Sequence, residues 1–443
     1  MKKLPRHLLL LGTAVLVACG GPALSIATHS STPNQGAGTA AVVPAHLLVR
    51  QGQSPDTSLL LLDTTSVKTL ASYPDGVATR DWSRLYAVTS HGPQNLLKVI
   101  DPGTARTISV TTTERGFALP TFGPSQRPVG LSPNGRQLVL AGLPSGTQYS
   151  PDSNRFLVYD TTHLDRPPLR VNLPGSFLFD GISDDARSLY LLEDLSSPST
   201  GSAYNVRRYD LTMGALDPAI IVDKRTGEQS ISGTAIDSVM SRGGAWQYTV
   251  YAFGGMAPFV HALNLNDATA FCIDLPKGPL DGELDLLWSV VASHDGRFIY
   301  AVNTATGSVV VMPTNSPWQT RRAALAVPQA PTAAAAWTPW APVAVEAKHL
   351  VDGAAVISPD DRILYSIGDT GMFLVDTASL KLIGSLLPTR PLNSITITTG
   401  GERLYATSLD NAANPLVQVD VDSGRWAAIA GATGPLSVLR AVT

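Results

Sequence analysis

The residues best suited to chemistry in this sequence are carboxylates that lie close together along the chain. Glu193 and Asp194 are adjacent, and Asp281, Glu283 and Asp285 occupy alternate positions. Carboxylate oxygens are the ligands that Ca²⁺ prefers, but neither group has the Asp-x-Asp-x-Asp-Gly spacing of a loop that wraps an ion by itself. We therefore expect no resident metal or cofactor, and calcium is the one ion that these acidic groups could take.

Sequence motifs of known catalytic chemistry are missing. The chain has no Gly-x-Ser-x-Gly elbow, no His-Glu-x-x-His pair and no phosphate-binding Walker loop. Beyond the first twenty residues its histidines are scattered, at His29, His46, His91, His163, His261, His294 and His349. His294 stands in a turn where similar segments carry Pro or Asp, which indicates a polar surface position. We predict no catalytic residue from the sequence.

Two tryptophans are the candidates for contact with a partner. Trp337 and Trp340 lie in the segment 328–350, PQAPTAAAAWTPWAPVAVEAKHL, whose prolines exclude a long helix. Tryptophan in such a loop could anchor a protein or a glycan. The alternative is that both indoles fold back and cover a gap within the fold.

The elements that would position these residues are short strands and tight turns that recur along the chain. Residues 356–376, VISPDDRILYSIGDTGMFLVD, contain three strands, with a Ser-Pro-Asp-Asp turn after the first. Six further turn-plus-strand copies begin at Arg80, Leu131, Ile182, Met240, Ala292 and Thr399. Such self-similarity indicates a repeat architecture of antiparallel meanders.

A second pattern, a strand that closes on an acidic or turn residue, occurs eight times. These strands end at Asp63, Asp101, Asp160, Asp210, Asn264, Pro313, Asp376 and Asp420. The recurrence of Asp at equivalent positions predicts that it caps turns. The module at Asp63 lacks a first strand, and residues 435–442 form one strand without a meander. Joining the two would close a ring and remove exposed sheet edges.

We therefore predict an all-β fold, a single β-propeller of residues 46–443 built from four-stranded antiparallel blades. Eight blades are favoured and seven are the alternative, with the first blade closed by the C-terminal strand. The motif Ser-Pro-Asp-Gly-Arg-x-h-Tyr (h, apolar) followed by Val-x-Val-x-Asp resembles the YVTN-type, WD-repeat-like propellers of bacterial surface proteins. That resemblance implies a binding scaffold in some relatives and a lactonase or another enzyme in others.

The N-terminus resembles a bacterial lipoprotein signal peptide. Lys2, Lys3 and Arg6 precede the apolar run 8–17, which is too short to span a bilayer and leads into Leu-Val-Ala-Cys-Gly at 16–20. The resemblance implies that residues 1–18 are removed, that Cys19 is lipidated, and that residues 19–45 form a flexible tether. The location would be extracytoplasmic, anchored to the cell membrane. Cys272 would then have no intrachain disulfide partner.

Composition and loop lengths complete the functional expectation. A formal net charge of −3 without a basic stripe argues against nucleic-acid binding. Five long segments, 111–127, 143–155, 195–204, 277–285 and 328–350, are expected as loops on one face of the propeller. Because binding residues concentrate in long loops, we predict a monomeric, non-enzymatic binding or scaffold protein of the cell envelope that contacts a protein or glycan there. The alternative is a lactonase-like hydrolase with a site at the central channel. The largely apolar first strands favour a packed channel and hence the binding function.

Overall fold

A computed structural model describes residues 46–52, 56–66, 68–143, 154–196, 203–227, 230–252, 257–278, 280–327, 354–388, 390–408, 415–429 and 434–442. Cys19, Trp337 and Trp340 lie outside these residues, as do the predicted signal peptide and tether. Within them, no helix is long and apolar enough to cross a membrane.

The described part of the chain is almost entirely β-structure, in 35 strands and one short 3₁₀ helix, Leu280–Leu287. The first half contains β1 (His46–Gln51), β2 (Ser58–Asp63), β3 (Thr69–Pro74), β4 (Val77–Ala78), β5 (Leu85–His91), β6 (Gln94–Asp101), β7 (Arg106–Thr113), β8 (Phe117–Ala118), β9 (Thr121–Phe122), β10 (Arg127–Pro128), β11 (Gln137–Gly142), β12 (Arg155–Asp160), β13 (Leu169–Asn172), β14 (Phe177–Ile182), β15 (Ser188–Asp194), β16 (Ala203–Asp210), β17 (Ala215–Ile221) and β18 (Ser230–Ser232). The second half contains β19 (Thr234–Met240), β20 (Trp246–Ala252), β21 (Phe259–Asn264), β22 (Ala270–Asp274), β23 (Trp288–Ala292), β24 (Phe298–Asn303), β25 (Ser308–Pro313), β26 (Arg321–Ala324), β27 (Ala355–Ile357), β28 (Ile363–Gly368), β29 (Gly371–Asp376), β30 (Lys381–Leu386), β31 (Leu392–Ile397), β32 (Arg403–Ser408), β33 (Leu416–Asp420), β34 (Trp426–Ala428) and β35 (Leu436–Val442).

These strands form eight blades of four-stranded antiparallel sheet, so the eight-bladed propeller is confirmed over the seven-bladed alternative. Blades 2 to 8 begin with β4, β8, β14, β19, β23, β27 and β31, each the innermost strand of its sheet. The modules that end at Asn264 and Pro313 are complete blades, the fifth and sixth, although their closing residues depart from Asp. Blade 4 carries one additional strand, β18, which pairs with β16.

Blade 1 joins the two ends of the described chain. β1 pairs with β2 on one side and with β35 on the other, so the C-terminal strand becomes the innermost strand of the blade. Leu436, Val438 and Ala441 of β35 are buried against Leu47 and Val49. The closure covers the inner edge of β1, which confirms the predicted role of the C-terminal strand.

The core lies between neighbouring blades, because the middle strands are covered on both faces and read as continuous apolar runs. Ser308–Pro313, for example, has four consecutive buried residues, and Ile299 and Met312 pack with Trp288 against blade 5. Each such apolar side chain contributes roughly 1.5–3 kcal/mol when it is fully buried.

The recurring aspartates at the ends of the third strands cap turns, as predicted. The carboxylate of Asp376 accepts hydrogen bonds from the Ser379 amide (2.7 Å) and hydroxyl (2.5 Å). Asp420 holds Ser423 in the same way, at 2.9 and 2.6 Å. Hydrogen bonds to the ionised carboxylate lower the pKa of both residues. These aspartates therefore have a structural role.

Removing residues 435–443 tests the ring closure. We expect a large loss of stability and a tendency to aggregate, since β1 becomes an exposed edge. The deletion also removes the stabilisation from burying Leu436 and Val438, about 1.5–3 kcal/mol for each side chain. Urea unfolding and size-exclusion chromatography measure both effects. Deletion of Thr443 alone, which leaves β35 intact, is the control. A truncated chain as stable as the control would contradict the closure.

Candidate functional site

The innermost strands surround a cavity of about 990 Å³ on the propeller axis, here called the channel cavity. Its lining comes from blades 1 to 6 and includes four arginines and one aspartate: Arg50, Arg80, Arg127, Arg242 and Asp180. The sequence suggested a channel packed by apolar first strands, and this expectation is wrong. The channel contains the space and the charged groups that a small-molecule site requires.

Several innermost strands have one extra residue at a β-bulge. The bulged residues are Asp180 in β14, Ile236 in β19, Asn393 in β31 and Leu439 in β35. A bulge re-aims a side chain without disturbing the rest of the strand. Asp180 and Leu439 line the channel cavity.

Asp180 has the most perturbed environment of these residues. The amide nitrogen of Gln247 donates to its Oδ1 (2.9 Å) and to its main-chain oxygen (3.1 Å). Oδ2 is buried and has no hydrogen-bond partner in the described part of the protein. Burial raises the pKa of Asp180 to about 7, and the Gln247 hydrogen bond opposes this shift only in part. At neutral pH the carboxyl group can therefore both accept and donate a proton.

A short polar path connects Asp180 with blade 5. The Nε2 atom of Gln247 lies 3.4 Å from the hydroxyl of Thr249, which lies 3.2 Å from the hydroxyl of Ser238. Gln247 and Thr249 are buried, whereas Ser238 lines the cavity. Adding a Cβ at Gly181 would place it 2.9 Å from the Gln247 amide oxygen, so glycine here allows the close approach. The position of the Asp180 side chain is thus fixed from the neighbouring blade.

Blade 3 contributes a hairpin that crosses the channel. Its innermost strand is split into β8 and a bridge at Leu131, and the hairpin β9–β10 is inserted between them. Arg127 of the hairpin donates to the main-chain oxygen of Ser238 in blade 5 (3.1 Å) and lies 3.7 Å from Asp237. Its guanidinium stacks over Phe122, 4.8 Å from the ring centroid. Segment 111–127, predicted as a long inter-blade loop, therefore contains a strand end and half of this channel hairpin.

Three of the five acidic residues considered as calcium ligands form hydrogen bonds within the protein. Glu193 accepts a hydrogen bond from Arg207 (2.7 Å), and Asp194 accepts one from the Ser196 amide (2.9 Å). Asp285 is buried and accepts the Gly278 amide (2.7 Å). Asp281 and Glu283 lie in the 3₁₀ helix, with side chains outside the described residues. Among the described residues no three His, Cys, Asp or Glu side chains are grouped to hold a metal, and calcium binding stays a prediction.

Two other residues considered in the sequence occupy different environments. His294 lies at the rim of the channel cavity, with its Nδ1 atom 2.9 Å from Asp361 of the next blade. Cys272 is partly buried, forms no disulfide with a described residue, and has its sulfur 3.7 Å from Nδ1 of His261. Neither residue contacts Asp180 in a described interaction. The lipidation site Cys19 and the partner-contact residues Trp337 and Trp340 stay predictions.

Sequence reasoning missed Asp180 although a signal was present. The first strand of blade 4 reads FLFDGI, in which the aspartate interrupts an apolar run. An acid inside an innermost strand is costly unless it is paired or protonated. This energetic cost identifies Asp180 as a candidate functional residue, whereas no sequence motif does.

Comparison with known proteins supports the fold. No family model matches the chain, and no curated relative matches its sequence. Among solved structures, apo AztD from Citrobacter koseri is similar with a TM-score of 0.51 and 10% identity over 90% of this chain and 98% of that chain. The dihydro-heme d1 dehydrogenase NirN, in complex with DHE, is similar with a TM-score of 0.52 and 13% identity over 88% of this chain and 74% of that chain. At these identities the likeness shows the fold alone: the chain is an eight-bladed β-propeller.

The same comparison also finds the periplasmic gluconolactonase PpgL of Pseudomonas aeruginosa, with a TM-score of 0.40 and 18% identity over 80% of this chain and 98% of that chain. Of these similar structures, NirN is a dehydrogenase. The predicted non-enzymatic binding or scaffold protein acting through the long-loop face is wrong. The premise of that prediction, a channel packed by apolar first strands, does not hold, because a cavity lined by charged groups occupies the axis. The YVTN-type resemblance is confirmed for the propeller fold and not for the family.

The raised pKa of Asp180 predicts a pH dependence of stability. Its carboxyl keeps a proton in the folded protein up to about pH 7, whereas the ordinary pKa of an aspartate, which applies to the unfolded chain, is 3.8. The folded state binds more protons in this window, so the unfolding free energy falls as the pH rises through it. Urea unfolding between pH 4 and 8 should show a smaller decrease for Asp180→Asn than for the wild type. Parallel curves for the two proteins would contradict the assignment.

Proposed function

We propose that this protein is a lactonase-like hydrolase that opens cyclic esters in the channel cavity. The observation that carries the proposal is Asp180, a partly buried carboxyl group with a pKa near 7 and an unpartnered oxygen, in a cavity of about 990 Å³. A general base is most effective when its pKa lies near the working pH. The similarity of the repeats to YVTN-type propellers, which include lactonases, supports the same class.

The proposed reaction uses Asp180 as general base and then as general acid. Its ionised form takes a proton from a water molecule while the water oxygen bonds to the lactone carbonyl carbon. The bond between that carbon and the ring oxygen then breaks, and the ring oxygen takes the proton from Asp180. One water is consumed, the product is a hydroxy acid, and Asp180 returns to its ionised form.

Other residues of the cavity would support this reaction. Gln247 positions the carboxyl group through its hydrogen bond to Oδ1, and the buried Oδ2 keeps no protein partner among the described residues. Arg127 brings a positive charge into the cavity and is held in place by Phe122 and the Ser238 carbonyl. A fixed cation near the carbonyl oxygen would stabilise the negative charge that develops there during the attack of water.

The location that we propose is extracytoplasmic, with the chain anchored to the membrane by a lipid on Cys19. The support is the pattern at the N-terminus, a basic patch, a short apolar run and Leu-Val-Ala-Cys-Gly. Stable anchoring requires more than one acyl chain, which lipoprotein processing supplies. A hydrolase held in this way would meet substrates outside the cytoplasm.

Asp180→Asn should lower kcat/KM for lactones by about a hundredfold or more, because the amide cannot accept the proton of water. In the wild type, kcat/KM should rise with pH around a midpoint near 7, the pKa of Asp180. The control is Asp184→Asn: burial also raises the pKa of Asp184, which lies in a turn of the same blade as Asp180 and accepts the Asn134 amide of blade 3. A panel of γ- and δ-lactones with no turnover above buffer by the wild type would refute the proposed function.

Cys19→Ser should abolish incorporation of labelled fatty acid and move the protein from the membrane fraction to the soluble fraction. The reason is that the serine side chain cannot form the thioether that carries the lipid. Cys272→Ser, which changes the only other cysteine, is the matched control and should leave labelling unchanged. Labelling of the Cys19 variant at the wild-type level would contradict lipidation at this position.

A further inference from the structure

Two arginines from blades on different sides of the channel meet at the rim of the cavity. Arg80 lies in the turn between β4 and β5, and its Nη1 atom donates to the main-chain oxygens of Ser241 (3.0 Å) and of Arg242. Arg242 follows β19 and donates to the main-chain oxygen of His294 in blade 6. Both side chains are exposed and line the channel cavity. The turns of blades 2, 5 and 6 thus fix both arginine side chains in the lining of the cavity.

This pair differs from the other arginines of the cavity in its partners. Arg50 forms an ion pair with Asp75 (2.8 Å), and Arg127 lies 3.7 Å from Asp237. The acceptors of Arg80 and Arg242 are neutral carbonyl groups, and neither arginine forms an ion pair with a described residue. The partial removal of water from Arg80, together with the charge of Arg242, lowers the pKa of Arg80. The positive charge of Arg242 therefore acts on Arg80, and neither arginine has a carboxylate partner among the described residues.

Acidic residues in the surrounding turns accept hydrogen bonds from groups other than the two arginines. Asp361 accepts the amides of His294 (2.6 Å) and Asp295 (2.8 Å). Asp184 accepts the Asn134 amide (2.8 Å), and Asp81 accepts the Ser83 amide (3.0 Å) and the Thr79 hydroxyl (2.7 Å). These bonds build the turns and hold neighbouring blades together. They leave the charge of the arginine pair to be balanced by something outside the chain.

We propose that Arg80 and Arg242 bind an anionic group of the substrate, so that the lactone carries a carboxylate or phosphate in addition to its ester. This inference rests on the proposed hydrolase function and names its substrate class. Guanidinium groups match carboxylate and phosphate oxygens with paired N–H donors. Because the pair and Asp180 line one cavity, a single small molecule can place its anion at the rim and its ring at Asp180.

The electrostatics of the cavity fit such a substrate. The cavity is lined by four arginines and one aspartate, whereas the whole chain has a formal net charge of −3. A cleft of one sign with low-dielectric walls focuses its field and raises the local concentration of ligands of the opposite charge. The site therefore attracts anions although the protein as a whole does not.

A binding experiment separates this inference from catalysis. Glucarate, an open-chain dicarboxylate, and inorganic phosphate are titrated into the full-length protein by calorimetry. Arg80→Gln and Arg242→Gln should each weaken binding of the preferred anion about tenfold or more, the range for a charge-assisted hydrogen bond. Arg84→Gln is the matched control, since Arg84 lies in the same turn but donates to the Ser83 carbonyl outside the cavity. Tighter binding of phosphate than of glucarate would assign the anion as phosphate, and the reverse as carboxylate.

A turnover experiment then connects the anion site to the reaction. Glucaro-γ-lactone and glucono-γ-lactone differ in having a carboxylate or a hydroxymethyl group at the far end of the chain. If the preferred anion is carboxylate, the arginine variants should raise KM for the first lactone about tenfold with kcat little changed, and leave KM for the second unchanged. A phosphorylated gluconolactone takes the place of the first if phosphate is preferred.

The possible failures of the two proposals are distinguishable. Anion binding that depends on Arg80 and Arg242, without turnover of any lactone, would refute the hydrolase and retain the anion site. Turnover that is indifferent to both arginines would refute the anion site and retain the hydrolase. Arg80→Lys controls for folding, because it keeps the positive charge and N–H donors without the planar fork of a guanidinium, and it should recover part of the affinity lost in Arg80→Gln. Weak binding by Arg84→Gln, or no binding of either anion to the wild type, would overturn the inference.

Discussion

The pairing of β35 with β1 is the interaction on which the rest of the structure depends. It connects residues 46–51 with residues 436–442, so the ring of eight blades closes only when both ends of the described chain are in place. Every blade packs against two neighbours, and a gap between blades would expose apolar strands on both sides. The closure also defines the channel, because the innermost strands face a common axis only in a complete ring. Such a long-range contact is expected to form late in folding, since the loop that it closes is almost the entire domain.

Eight blades leave more space on the axis than the side chains of the innermost strands fill. Closed β-architectures enclose a cavity once they are large enough, and here the space is partly occupied by the chain itself. The blade 3 hairpin crosses to blade 5, and bulges in several inner strands alter which side chains point to the axis. The channel is therefore asymmetric, with its charged groups in blades 1 to 6. A scaffold of repeated blades thus acquires a distinct site through departures from the repeat.

The contrast between the repeated blades and the local departures from the repeat explains what the sequence could predict. Strand-turn repeats and the incomplete module at Asp63 were enough for the fold, the number of blades and the closure, because these follow from local patterns that recur. The caps at Asp376 and Asp420 followed from recurrence as well. The hairpin β9–β10 did not, since it interrupts a strand and resembles a loop when read locally. The state of Asp180 depends on Gln247, 67 residues away in sequence, and on a bulge that no residue pattern encodes. Composition of the first strands therefore suggested a packed channel where the structure has a cavity.

Aspartates of this propeller fall into two groups, and the difference indicates which of them serve the fold. At the ends of the third strands, carboxylates accept amide and hydroxyl hydrogen bonds, their pKa is lowered, and ionisation stabilises the folded state. Asp180 has a raised pKa and an oxygen without a partner, so its ionisation destabilises the folded state. Arg80 and Arg242 are likewise held against mutual repulsion without an acidic partner among the described residues. A residue that lowers stability at one place in a repetitive scaffold, and not at the equivalent places, is explained by what it binds. The unsatisfied carboxyl group and the unbalanced arginines line one cavity, and a lactone that carries an anion would satisfy both.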